Sequence, residues 1–318
     1  MNITFFGAAG EVTGSKHVLE HNGYSILLDC GLHQGRRRQA YALNKDLPFS
    51  VSALNAVILS HAHADHCAAL PMLAKAGYTG KIYATPATID IARLIMLDSA
   101  KLQQSDYEHL LGEGIPESEV LPPLYSIQDV EKIVQLFEPV EYCRLEDGWH
   151  ELNSEIRFKF YDAGHILGSA VTVIEYDEEE AKKHLLFTGD LGHGGVPILH
   201  DPEHINETID SVIIECTYGD RLHRPLGEVD KLLIEIITEA VKKRKKIIVP
   251  AFALGRTQEI IYILHRLYKE KKIPALPIYI DSPLSNSITE VFSKYMNEFD
   301  EKAQTDFINH HESPFAFN

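Results

Sequence analysis

A chain of 318 residues is long enough for one large domain or two moderate ones, and 45% hydrophobic with 24% charged side chains is ordinary for a globular protein. The 46 acidic against 30 basic residues give a net charge of −16, which disfavours a partner covered in phosphates, although bound metal ions would reverse the sign locally. The four cysteines (Cys30, Cys67, Cys143, Cys216) are scattered with no CxxC pair, which argues against a disulfide framework and a cysteine zinc site. The N-terminus has neither the basic start nor the apolar run of a signal peptide, and no stretch approaches a membrane span, so the expected compartment is the cytoplasm.

In chain order, residues 3–28 read as strands broken by turns at Gly7, Gly10 and Gly14. Runs at 17–20 and 24–28 flank Asn22-Gly23, a two-residue hairpin signal. Arg36-Arg37-Arg38 is expected to be a solvated loop, with an RNA contact as the alternative because Asp29 is near in sequence. Residues 56–60 read as a buried strand and 67–76 as a helix. Between them, Ser60-His61-Ala62-His63-Ala64-Asp65-His66 concentrates three imidazoles and a carboxylate on a strand-to-helix turn. Packing rarely needs such a run, whereas a metal ion does. One turn cannot supply four ligands to each of two zinc ions, so further ligands must come from downstream.

A strand at 81–86 leads into a helix from 88 to about 103, and 107–125, with Pro116, Pro122 and Pro123, reads as an excursion over the active-site mouth. Ser126 is the N-cap of the next helix. Strands follow at 156–161, 171–176 and 184–187, with Asp177-Glu178-Glu179-Glu180 as an exposed acidic turn. From about residue 211 the order is a buried strand at 212–214, a helix at 229–242, a strand at 246–250, a helix to 268 and a strand at 278–280, the pattern of a parallel α/β layer.

The HxHxDH run at His61, His63, Asp65 and His66 resembles the second motif of the metallo-β-lactamase fold superfamily. Leu27-Leu28-Asp29-Cys30-Gly31 resembles its first motif, Ala163-Gly164-His165-Ile166-Leu167-Gly168-Ser169-Ala170 its third, and Phe187-Thr188-Gly189-Asp190-Leu191-Gly192 its fourth. The loops Glu215-Cys216-Thr217-Tyr218-Gly219, Ala253-Leu254-Gly255-Arg256-Thr257-Gln258-Glu259 and Asp281-Ser282-Pro283-Leu284 resemble the β-CASP branch, whose members process RNA or DNA. Within it, the likeness is to the pre-mRNA 3′-end cleavage nuclease and its bacterial and archaeal homologues.

The resemblance implies an α/β fold: an αβ/βα sandwich, first part at 1–210, with an inserted and here incomplete parallel α/β β-CASP domain at 211–318. It implies that His61, His63 and His165 hold one zinc, that Asp65 and His66 hold a second, and that Asp190 bridges both. Two such ions supply a bridging hydroxide that attacks a phosphodiester, with Asp65 accepting the water's proton. Asp29 would orient the second motif and Glu215 a later histidine; for Glu215 the plainer reading is a strand-end cap. Arg256 would meet a phosphate at the start of its helix, an ion pair with a surface carboxylate being the alternative. His17, His21, His33, His193 and His200 are expected to be structural or surface residues.

Two departures bear on these expectations. Cys216 stands where many relatives have serine, and the chain stops at Asn318 without the family's two later histidine motifs, with His310-His311 lacking their flanking pattern, as expected of a fragment or of a defective or differently completed relative. The expectation is therefore a weak second metal site, little activity in this chain, and an open sheet edge that favours a homodimer. The expected function is a zinc-dependent ribonuclease, with DNA as the alternative substrate. A catalytically silent scaffold subunit of an RNA-processing complex and a lactamase-fold hydrolase of thioesters or lactams are the other classes considered. The β-CASP-like loops speak against the last, because small-molecule hydrolases do not need them.

Overall fold

The computed structural model describes all residues except 144–147, 180, 223–226, 311–314 and 316–318, and only the backbone of 227 and 307–310. Glu180, His311 and the His310 side chain therefore lie outside the described residues. The chain divides into two compact units: Met1–Ala163, Gly168–Leu191 and His204–Glu215 form the first, and Gly164–Leu167, Gly192–Glu203 and Cys216–Asn318 the second.

The first unit holds two sheets. One runs in the order β1 (Asn2–Phe5), β2 (His17–His21), β3 (Tyr24–Leu28), β4 (Ala56–Ile58), β5 (Lys81–Ala84), β6 (Phe137–Pro139). Its first three strands pair antiparallel and the rest parallel. The hairpin closes where the Asn-Gly signal places it, with His21 opposite Tyr24 and both turn residues at positive φ. The other sheet is formed by β7 (His150–Glu151), β8 (Ile156–Asp162), β9 (Ala170–Glu178), β10 (Ala181–Phe187) and β11 (Ser211–Ile213). Period-two alternation aims Leu19, Ile26, Leu28 and Ile58 of the first sheet at Phe158, Phe160, Ile174, Leu185 and Phe187 of the second, and these make the inter-sheet core. The outer face of the second sheet has its own cluster, Tyr161, Val171 and Val173 under Trp149, Ile205 and Ile209.

Leu27 and Val57, on the opposite face of the first sheet, are also fully buried. Helices α1 (Arg37–Asn44), α2 (Ala64–Cys67), α3 (Leu70–Lys75), α4 (Pro86–Gly112) and α5 (Ile127–Val134) belong to this unit, and α5 packs on α3 and α4. The single helix expected at 67–76 is broken in two: Pro71 has no amide to give at the join, and Ala69 N–H donates to Cys30 O instead. Helix α4 is longer than its apolar spacing suggests, because the polar residues that read as a loop from 107 form its exposed side. The end of the segment after it is tied to the helices: Leu124 N–H donates to Gln103 Oε1, Tyr125 OH to Ser99 Oγ, and Lys75 Nζ to Leu124 O. Ser126 caps α5 in a reciprocal box with Asp129. The arginine cluster opens α1, where Arg37 lies 3.3 Å from Asp106 and stays exposed.

Strand β11 pairs parallel with β10 and so extends the first unit's sheet. It is an exposed edge, not the buried strand expected at 212–214: Val212 is 52% and Ile214 62% accessible. The second unit contains α6 (Gly227–Lys242), α7 (Arg256–Lys269), α8 (Pro283–Lys294) and α9 (Glu301–His310). Ile237, Ile263, Leu267 and Ile273 form its core, and Arg266 Nη2 binds both oxygens of Asp230. The strands expected at 246–250 and 278–280 are not formed: Ile248 and Tyr279 are 89% and 88% accessible, and no ladder partner lies beside them among the described residues. An extended apolar segment becomes a strand only where another strand pairs with it. No described helix is long and apolar enough to cross a membrane.

Candidate metal centre

The centre is built around Asp29, which directly follows β3 at φ 57° and has no accessible surface. Its carboxylate accepts from Ser60 N–H at 2.8 Å and Ser60 Oγ–H at 2.9 Å, from Ser15 Oγ–H at 3.3 Å, and lies 2.7 Å from His66 Nδ1. The backbone beyond it follows the histidine turn, with Cys30 N–H donating to His66 O and Leu32 N–H to Ala64 O. Gly31 is where the two segments touch: a Cβ there would lie 1.6 Å from Asp65 O.

Strand β4 delivers Ser60 and His61, and α2 starts directly after His63. Ser60 Oγ is 3.0 Å from His61 Nδ1, so Asp29 bears on His61 through a hydroxyl and on His66 directly. The loop after β10 meets the same serine. Gly189, at φ 53°, has its Cα so close that a Cβ would be 2.6 Å from Ser60, and this fixes the approach of Asp190. Ala170 N–H donates to Ser60 O, which anchors the strand that follows His165.

His61, His63, His165 and Asp190 each offer one ligand atom, and these atoms lie within 4.8 Å of one another. His61 Nε2 is 3.1 Å from His63 Nδ1 and 3.7 Å from Asp190 Oδ2. Ligand atoms around a tetrahedral zinc sit about 3.4 Å apart, given bonds of about 2.0–2.1 Å, so three imidazole nitrogens and one carboxylate oxygen suit such an ion. Asp65 and His66 stand outside this group of four. His66 bridges Asp29 and Asp190, its Nε2 lying 3.2 Å from Asp190 Oδ1. Burial opposes a charge on its ring, but the Asp29 and Asp190 carboxylates outweigh that and push its pKa up to about 10. Burial raises the Asp65 carboxyl, His66 counters in part, and Asp190 and Asp29 add to the rise.

Glu215 follows β11, and its N–H donates to Thr188 Oγ1, two residues before Asp190. Arg256 opens α7 in the second unit, with Nη1 donating to Oε2 of the largely buried Glu259 at 2.7 Å. His17, His21 and His33 are buried and His193 is exposed. Sequence reasoning gave no role to Ser60 or Ser15. A lone serine carries no pattern, and only its place between Asp29 and His61 reveals it.

Residues 18–194 match the metallo-beta-lactamase superfamily domain, and 257–318 match the Beta-Casp domain. The chain is 33% identical over 308 residues to "Ribonuclease TTHA0252" of Thermus thermophilus, covering 97% of this chain and 64% of that protein. It is 30% identical over 316 residues to an "RNase J-like protein" of Methanocaldococcus jannaschii, covering 99% and 66%, and 29% identical over 323 residues to "Endoribonuclease YSH1" of Kluyveromyces lactis, covering 99% and 40%. The chain thus spans less than two-thirds of the length of these relatives. With the superfamily domain running over more than half of its length and carrying the histidine–aspartate cluster, the chain belongs to the metallo-β-lactamase superfamily, in its β-CASP branch.

Proposed function

We propose that this chain is the metal-binding part of a zinc-dependent ribonuclease that hydrolyses phosphodiester bonds in RNA. The observation that carries the reading is the convergence of His61, His63, His165 and Asp190 in a chain whose relatives include proteins named ribonuclease and endoribonuclease. These four residues would hold one zinc, and Asp65 and His66, with Asp190 shared, a second. Zinc bound there supplies Lewis acidity and a water acidified to near neutrality.

The chain's own groups do the rest. Asp29 keeps His61 and His66 in orientation through the Ser60 hydroxyl and a direct contact. Asp65, raised by burial, is suited to take a proton at its carboxylate. Glu215 stands beside the fourth-motif loop through Thr188, and Arg256 offers a cation to a substrate phosphate. The exposed edge of β11 supports pairing of two copies.

The test combines metal analysis with cleavage of labelled single-stranded RNA, single-stranded DNA and a cephalosporin. RNA cleavage that requires zinc and disappears in His63→Ala is expected of a C-terminally extended chain, with little from the 318 residues alone. Rapid β-lactam turnover with no cut in either nucleic acid would replace this reading with that of a small-molecule hydrolase. Tight zinc and RNA binding without cleavage would favour a silent subunit.

A further inference from the structure

Helix α7 begins against the third-motif loop. Its N-cap, Gly255, lies close enough to Ile166 that a Cβ on the glycine would be 3.5 Å from the Ile166 side chain, and Ile166 follows His165 directly. The run before the helix is fastened from three sides. Thr257 Oγ1 donates to Phe252 O, Gln258 Nε2 donates to Ala253 O and Thr289 Oγ1, and Ser285 Oγ donates to Ala253 O. The first turn of α7 is thus a fixed platform beside the loop that carries His165.

The ion pair on that platform is asymmetric. The Glu259 side chain is 15% accessible, whereas that of Arg256 is 63% accessible. Only Nη1 of the guanidinium makes a hydrogen bond among the described residues, so Nε and Nη2 keep their donors. A surface pair on a helix needs no desolvated carboxylate, and burying one is costly unless it holds a cation in place. Burial pushes the Glu259 carboxyl up, while Arg256 and then His193 pull it back; His193 lies on the exposed loop after Asp190.

We propose that Glu259 is a positioning residue for the substrate: it fixes the Arg256 guanidinium beside the His165 loop so that the outer N–H groups take a phosphate of the RNA strand. The proposal rests on the ribonuclease reading for the identity of that strand. Arginine suits the task because one nitrogen of its planar fork can hold the carboxylate while its remaining donors stay available to a phosphate.

The test measures binding of a labelled single-stranded RNA to the zinc-loaded chain by fluorescence anisotropy, across salt concentrations, for the parent, Arg256→Ala, Glu259→Gln and the double variant. Each single change should weaken binding about tenfold and flatten the slope of log affinity against log salt by about 0.7, the value for one phosphate contact on a single strand. The double variant should bind no worse than Arg256→Ala, and zinc affinity should stay within about twofold, since neither residue is a ligand. Glu259→Asp, which keeps the charge, is expected to fall between parent and Glu259→Gln and guards against a folding defect in the latter.

Parent-like RNA affinity and salt slope in Glu259→Gln, with both lowered in Arg256→Ala, would overturn the proposal. So would losses that multiply in the double variant. A second arm titrates inorganic phosphate into the metal-free chain. Phosphate binding lost in both single variants, in a parent that ignores RNA, would sustain the subsite while sinking the ribonuclease reading. A parent that binds neither would sink both.

Discussion

Asp29 shows how one residue can decide the geometry of a whole centre. It accepts from Ser60 and Ser15 and contacts His66, so removing its charge frees two rings at once. Asp29→Asn should lower zinc affinity by about 10–100-fold, the usual cost of losing such an orienting partner. Competition with a chromogenic chelator measures this, and unchanged affinity would show that Ser60 alone suffices. His66 gives a pH prediction for the metal-free protein. Its pKa is raised from 6.5 to about 10, so its ion pair stabilises fully below the unfolded value and the contribution is lost as pH rises through the folded one. Metal-free protein should lose stability between about pH 6.5 and 10, and His66→Gln should remove that part of the slope in denaturant melts. At this scale the sequence was legible where residues lie close together, as in the run from His61 to His66. It was mute on Ser15 and Ser60, whose meaning depends on Asp29, 14 and 31 residues away in the chain.

Elements were legible where a local signal closes on itself. Asn22-Gly23 demands positive φ at two positions and finds it, and Ser126 meets its own helix three residues on. Ser126→Ala should cost about 1 kcal/mol in urea unfolding, a typical N-cap loss. Elements were illegible where neighbours far off in sequence decide the outcome. The polar half of α4 looks like a loop although it continues a helix whose first half is packed, and the apolar runs at 246–250 and 278–280 look like strands until their pairing partners are sought. Strand β8 hides another such case. Lys159, buried and directed under the Trp149 ring at 4.5 Å, pairs with Glu207, which also accepts from Tyr161 OH at 2.6 Å. Nothing local marks this lysine as internal. Lys159→Met would strand the Glu207 carboxylate and should cost about 3 kcal/mol, measured by chemical denaturation. The double change Lys159→Met/Glu207→Leu should recover part of the loss, because it removes both charges of the pair. No loss in the single variant would mean that water reaches Glu207.

Across the whole molecule, a net charge of −16 reads as an argument against a phosphate-bearing partner, yet the features that matter are local. Asp29, Asp65 and Asp190 crowd around imidazoles; burial raises the Asp65 carboxyl, and Asp190 and Asp29 add to the rise. A divalent cation at His61, His63, His165 and Asp190 would relieve that crowding and tie the histidine turn, the β8–β9 loop and the end of β10 together. Since the unfolded chain lacks this arrangement, binding adds directly to folding stability. At free zinc about 100-fold above its dissociation constant the gain is about 2.7 kcal/mol. For a folding unit of this size each kcal/mol moves Tm by about 2–4 °C, so zinc should raise Tm by about 5–11 °C over chelated protein. The shift should vanish in His63→Ala, which removes a ligand, and persist in Arg256→Ala, which removes none. A zinc-independent Tm in the parent, or an undiminished shift in His63→Ala, would mean that the four side chains converge for packing and not for a metal. Both are read in one calorimetric series, with the chelated parent as the common reference.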